Sequence, residues 1–427
     1  MGSPLWSVRR VPQPITDAVG MAHLQTALSE RVGTFAACFA VRDELGEIAQ
    51  ANADQPYIPA STLKLLTAAA ALEALGPGFH FTTLVAAPSA PRNGTVDRLV
   101  MIGGGDPLLA TPERIALDAQ EPDSAGLATT SRATLADRIV ETGVRSVPGG
   151  VVGVNDRYAD TRDLPEWAAG ARAAIGPIGA LTVNDGYTGP AGTGPESGDP
   201  ALNAATELSR LLVARGVSVG TPSSADRPGG SEIAAIDSPP LSEILTEMLS
   251  VSDNLTAEIL VRELSAQAGG RGTPESGARE VGDTLERLGV DLTGTTIVDG
   301  SGLARADTVS CATLLQVLRL STTPRLAAIR DGLAIAGERG TLATRLRGTP
   351  LAGNLRAKTG TLDGVSGLAG FVRSDRPLTF ALLINGSFGE STAFALREAM
   401  AAEIAAFPST VAGATLVPEP FAPVRTP

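Results

Sequence analysis

The stretch PASTLKLLTAAAALEALG, residues 59–76, holds one of only two lysines in a chain of 427 residues. The other is Lys358, and every remaining basic side chain among the 34 lysines and arginines is an arginine. The run is rich in Ala and Leu, with Pro59 ahead of it and Gly76-Pro77 behind, which predicts a helix. Ser61 stands at its N-terminal end and Lys64 three residues on, so one turn puts both on the same face. Arginine keeps its proton in any protein setting, whereas lysine sheds it when desolvated or set beside another cation. A composition that has driven lysine out almost everywhere retains it where arginine fails. S-x-x-K then reads as a hydroxyl beside an amine able to take its proton. Alone, the same pattern is more often a capping serine followed by a surface lysine.

Two further elements change that balance. Lys358 opens KTGT, with Thr359, Gly360 and Thr361, ahead of the strand-like VSGLAGFV. Ser252-Asp253-Asn254 lies inside the helically periodic stretch EILTEMLSVSDNLTAEIL, where by itself it would be a turn or a cap. The order S-x-x-K, S-D-N, K-T-G is the signature of active-site-serine penicillin-binding proteins and β-lactamases. The only histidines, His23 and His80, sit in no nucleophile-like setting, and no G-x-S-x-G elbow occurs. A Ser-His-Asp triad is therefore the poorer reading, and a lysine is the simplest base.

Outward from the motifs, the two ends of the chain read as one α/β module. TFAACFAVRDE and GEIAQANADQPYIP predict strands, as do VSGLAGFV and LTFALLING, and STAFALREAMAAEIAAF predicts a helix. From about Phe81, short β-like runs such as RLVMIG and GGVVGV alternate with loops rich in Gly, Pro and Asp, among them TGPAGTGPESGDP. Helical periodicity returns at LNAATELSRLLVARG. The predicted division is a discontinuous catalytic domain, residues 1–80 and 221–427, with a β-rich domain inserted at 81–220. A net charge of −12 and a pI near 4.8 argue against a nucleic-acid partner. No apolar run is long enough for a membrane span, and no basic-then-apolar leader opens the chain. The start, MGSPLWSVRRVP, reads as a trimmed mature end or a cloning scar, so an export signal could have been removed from it. Cys38 and Cys311 lack neighbours at metal-ligand spacing, so no metal site is expected; they could form one bridge in an oxidising compartment, but two buried free thiols are the favoured reading. No cofactor is expected.

On these motifs the sequence resembles the low-molecular-mass class C penicillin-binding proteins, the DacB-type D-alanyl-D-alanine carboxypeptidases and endopeptidases of peptidoglycan. GGGDPLL, IGALTVNDG, DPALNAA, SPPLSEIL and DGSGLARAD extend the likeness over most of the chain. Ser61 and Ser252 are 191 positions apart, which leaves room for the inserted domain of that subgroup, with any module nested inside it reduced. The resemblance implies a penicillin-binding-protein/β-lactamase-like transpeptidase fold, an antiparallel sheet flanked by helices. It implies that Ser61 forms the acyl-enzyme, with Lys64 as base. Ser252 relays the proton to the leaving D-alanine and Asn254 donates to the donor peptide's amide carbonyl. Lys358 steadies neutral Lys64 and attracts the substrate carboxylate, which the Thr359 and Thr361 hydroxyls of the Thr359-Gly360-Thr361 strand hold. The oxyanion hole would be the backbone N–H groups of Ser61 and Thr361. Arg305 would meet the carboxylate, and Asp156 the amine, of a diaminopimelate side chain in the stem peptide. The implied partners are peptidoglycan stem peptides and, as covalent inhibitors, β-lactams; the implied location is extracytoplasmic.

Two other readings compete. A class A β-lactamase would need a glutamate to activate water; Glu166 in LPEWAAG lacks the accompanying asparagine four residues on. A non-catalytic wall-binding protein would have no use for a deprotonatable lysine.

Overall fold

The computed structural model describes residues 13–168, 171–225 and 230–408. The opening MGSPLWSVRRVP lies outside them. Six antiparallel strands form one sheet, in the order 334–335, 355–362, 365–372, 378–385, 36–42 and 47–51. The N-terminal strand Ala36–Arg42 thus zips onto the C-terminal strand Leu378–Asn385, closing the two ends of the chain into one unit. Alternation along the strands sorts side chains to two cores. Phe39, Val41, Leu368, Leu382 and Ile384 pack with Leu24 and Leu28 of helix Gln13–Val32 and with Met400 and Ile404 of helix Glu390–Ala406. Cys38, Ala40, Ala369, Ala381 and Leu383 face the opposite way, against helices Lys64–Leu75, Leu241–Ser250, Asn254–Gln267 and Cys311–Leu320.

Small residues on this second face let the Ser61 turn come close. A Cβ at Gly360 would sit 2.7 Å from the Pro59 carbonyl oxygen, and one at Gly367 would sit 3.0 Å from Thr62 Cγ2. The glycine of K-T-G is therefore a packing requirement between strand and turn. The helix predicted over the opening stretch forms in two parts, a 3₁₀ turn Ala60–Leu63 running into α-helix Lys64–Leu75, with Gly76 at its end.

The helix predicted through Ser252-Asp253-Asn254 does not run through. Helix Leu241–Ser250 stops, Ser252 takes a left-handed φ of 69°, and Asp253 caps a new helix by accepting from Thr256 N–H. The break swings the three motif residues onto a corner.

Between these parts lies a second, five-stranded sheet, in the order 223–224, 151–154, 99–102, 82–87 and 231–237. Its last strand, Ser231–Asp237, pairs with Thr82–Ala87, so the sheet takes in chain beyond Gly220. Helices Arg132–Glu141 and Pro200–Val213 cover it through Leu135, Ile139, Ala204 and Leu208. The segment carries helices as well as strands.

Cys38 and Cys311 are joined in a disulfide, which corrects the expectation of free thiols. It ties strand Ala36–Arg42, next to the edge of the sheet, to the start of helix Cys311–Leu320 across 273 residues of chain. Fold topology, not local sequence, brings the two together.

Candidate active site

The three motifs converge. Ser61 comes from the 3₁₀ turn, Lys64 from the helix that follows, Ser252 and Asn254 from the broken corner, and Lys358 from strand Leu355–Leu362. Two non-glycine residues in the left-handed region, Ala60 (φ 47°) and Ser252 (φ 69°), aim the motif serines, a local strain common at functional sites. Gly302 presses against Ala60 from the neighbouring loop, where a Cβ would meet the Ala60 carbonyl oxygen at 2.0 Å; only glycine fits there, at its φ of 81°.

Lys64 is fully buried. Its Nζ donates to Ser61 Oγ at 2.9 Å, to Asn254 Oδ1 at 2.7 Å and to the Ser301 carbonyl at 2.8 Å. Three partners saturate an ammonium. A neutral amine has two N–H bonds and one lone pair. With Asn254 and Ser301 as obligate acceptors, the lone pair is left for the Ser61 hydroxyl proton. Burial pulls the Lys64 pKa down to about 8, against the opposing pull of Asp299, Asp253, Glu258 and Glu247.

Lys358 Nζ donates to Ser252 Oγ at 2.8 Å and to the Thr359 carbonyl at 2.9 Å. Burial first, then Lys64 and Arg397, hold its pKa well below the usual lysine range. Two buried amines that repel each other cannot both keep their protons cheaply. The Thr359 hydroxyl lies 3.0 Å from that of Thr341. Thr361 Oγ1 accepts from Arg397 Nη1 at 2.7 Å.

Arg397 is one of the side chains the sequence reading missed. It lies on helix Glu390–Ala406, at helical spacing within the buried set Ala393, Met400, Ala401 and Ile404. A cation in an otherwise apolar stripe was the available signal. Glu258 and Asp299, both fully buried, were also missed. Glu258 Oε1 accepts from Gly300 N–H and Ser301 N–H, and its other oxygen pairs with Arg262. Asp299 accepts from Gly302 N–H, Ala304 N–H and Trp167 Nε1. These bonds fix the carbonyl of Ser301 that Lys64 requires.

The remaining predicted residues fall as follows. Arg305, on the same loop, is exposed and donates to the Asp363 carbonyl at 2.9 Å, in the hairpin after K-T-G-T. Asp156 is exposed, and its successors Arg157 and Tyr158 dock on Glu263 of the helix that starts at Asn254. Asn254 Nδ2 donates to the Ala174 carbonyl at 2.8 Å, so the group expected to meet substrate is already engaged. Glu166 is exposed and makes no hydrogen bond to Ser61 or Lys64.

A serine paired with a desolvated lysine, under a second lysine–serine pair on a helix-flanked antiparallel sheet, defines an active-site-serine acyltransferase of the penicillin-binding class. The chain belongs to the D-Ala-D-Ala carboxypeptidase 3 (S13) family, whose profile matches residues 23–202 and 190–407, and it is a serine-type D-Ala-D-Ala carboxypeptidase. It is 32% identical to the D-alanyl-D-alanine carboxypeptidase of Actinomadura sp. (strain R39), over 84% of this chain and 79% of that one. It is 36% identical to carboxypeptidase DacB of Mycolicibacterium smegmatis, over 81% of this chain and 75% of that protein. Its fold is similar to that of penicillin binding protein 4 (dacB) from Haemophilus influenzae, with a TM-score of 0.70 at 22% identity, covering 86% of this chain and 94% of the other.

Proposed function

We propose that Ser61 is the nucleophile and Lys64 its base in removal of the terminal D-alanine from peptidoglycan stem peptides. The observation that carries this is the 2.9 Å contact between Lys64 Nζ and Ser61 Oγ, with both other Lys64 contacts made to acceptors. Lys64 takes the Ser61 proton as Oγ attacks the carbonyl between the two D-alanines. Ser252, hydrogen-bonded to Lys358, passes a proton to the departing amine. Water then opens the acyl-enzyme by the reverse sequence. The strand residues Thr359, Gly360 and Thr361 receive the substrate backbone and its terminal carboxylate. With Lys64 neutral its repulsion of Lys358 is removed, so Lys358 is the amine of the pair that holds the proton; it and Arg397 supply positive charge, Arg397 acting through Thr361. The Ser61 and Thr361 N–H groups form the oxyanion hole. To serve the peptide, Asn254 Nδ2 exchanges the Ala174 carbonyl for the substrate carbonyl.

The same attack opens a β-lactam, whose strained amide stands in for D-Ala-D-Ala. Arg305 and Asp156 recognise the carboxylate and amine of a diaminopimelate side chain. Residues 82–237 act as a unit inserted between the first two motifs, which places the loop holding Trp167 beside the site. An extracytoplasmic location fits the cell-wall substrate and the Cys38–Cys311 disulfide. No helix among the described residues is long and apolar enough to cross a membrane.

Mass spectrometry of products tests the reading. Muropeptides ending in D-Ala-D-Ala should lose one alanine, faster with diaminopimelate than with lysine at the third position. Arg305→Ala should remove that preference while leaving acylation by benzylpenicillin unchanged. Equal losses on both would make Arg305 structural, and no alanine release from either peptide would refute the activity.

A further inference from the structure

Away from the motif residues, a cavity of about 1200 Å³ opens at one end of the six-stranded sheet. Its floor is a single row across four strands. Arg356 pairs with Phe371, Phe371 with Thr379, and Thr379 with Arg42. Three strand intervals put the two arginines roughly 14 Å apart at the backbone. Helix Cys311–Leu320 forms the facing wall with Leu315, Gln316 and Arg319.

The charges set this cavity apart. Elsewhere in this acidic chain many arginines are held in ion pairs, among them Arg157, Arg210, Arg262, Arg345 and Arg376. Among the described residues, Arg42, Arg319 and Arg356 make neither an ion pair nor a side-chain hydrogen bond, yet all three line one cavity. Arg373 joins them with only an Asn354 contact. Of the acidic lining residues, Asp43 is taken by Arg376 and Asp331 pairs with its neighbour Arg330. Glu44 and Glu47 remain, both exposed, with Glu47 across the ladder from Arg42. The unpaired groups thus favour an anion.

We propose that this groove binds an acidic glycan, a chain of sugar or polyol units carrying phosphate or carboxylate groups. Guanidinium forks at both ends of the row suit oxyanions bidentately. Between them the Phe371 ring offers an apolar platform for a sugar face, and Thr379 offers a hydroxyl. The cavity exceeds the usual size of a small-metabolite site, which suits a chain segment. The proposal does not depend on the catalytic reading.

Calorimetric titration of the full chain tests it with three probes: a poly(glycerol phosphate) fragment, an oligogalacturonate and neutral chitotetraose. At least one anionic probe should bind, weakening as salt rises, and chitotetraose should not. The phosphate-only and carboxylate-only outcomes identify the source of the oxyanion. Arg42→Gln with Arg356→Gln should weaken binding at least tenfold, and Arg319→Gln alone severalfold. Arg325→Gln, which breaks an ion pair with Glu73 outside the groove, should not change it. Thermal unfolding at the wild-type temperature would show that the variants are folded. The proposal is overturned if neither anionic probe binds more tightly than chitotetraose, or if the groove variants bind as well as wild type.

Discussion

At Lys64 a buried amine lies 2.9 Å from the Ser61 hydroxyl, whose proton it is proposed to take. With its pKa lowered to about 8, roughly a tenth of the protein carries the neutral base at pH 7. Acylation by benzylpenicillin should therefore rise about tenfold per pH unit below 8 and level off above it, because only the unprotonated form reacts. A rate flat from pH 6 to 9 would assign the proton transfer to another group. Lys64→Arg should lose at least about a hundredfold in acylation, the lower end of what general-base assistance contributes. Arginine keeps the charge but cannot give up the proton. Lys64→Ala should lose as much without adding bulk, which separates loss of the base from steric blockage. Acylation at near wild-type speed in Lys64→Arg would remove lysine from the base role.

Elements, more than residues, fix the second half of the site. Trp167 reaches from the chain that follows strand Val151–Val154 to Asp299, and Asp299 holds the loop that presents the Ser301 carbonyl to Lys64. Trp167→Phe should cost about 1 kcal/mol of stability in urea unfolding, the worth of one hydrogen bond. It should also slow acylation severalfold, because the loop loses a tether. Slower acylation at unchanged stability would place Trp167 in substrate contact instead. This layer was only partly legible in the sequence. The motif serines and lysines could be read because their chemistry is compressed into three or four adjacent letters. The break at Ser252 escaped the periodicity, since apolar spacing continues on both sides, although Asp253 carried a capping signal. Glu258 and Asp299 could not be read, because what makes them matter is burial beside Lys64, which no local pattern reports. Arg397 stood in the apolar stripe of its helix, but among so many arginines nothing else marked it.

Across the described residues, early, middle and late parts of the chain are tied by contacts of long sequence separation. Strands 36–42 and 378–385 were each legible as strands, yet their pairing was a matter of topology. The disulfide is the sharpest case. Cys38 and Cys311 close a loop of 273 residues, and reading them as free thiols was reasonable from spacing alone. Replacing both by alanine should lower unfolding stability by about 2–5 kcal/mol. Reductant should have the same effect on the wild type and none on the variant. A variant as stable as wild type would mean that the sheet and helix Cys311–Leu320 hold together without the bridge.

The central claim is that Ser61 is the atom that becomes acylated. Benzylpenicillin followed by intact-mass analysis and peptide mapping tests it in one measurement. The account predicts a single added equivalent of the antibiotic, carried on the peptide containing Ser61 and absent from Ser61→Ala. No adduct on the folded protein, or an adduct mapped to Ser252 or elsewhere, would contradict it.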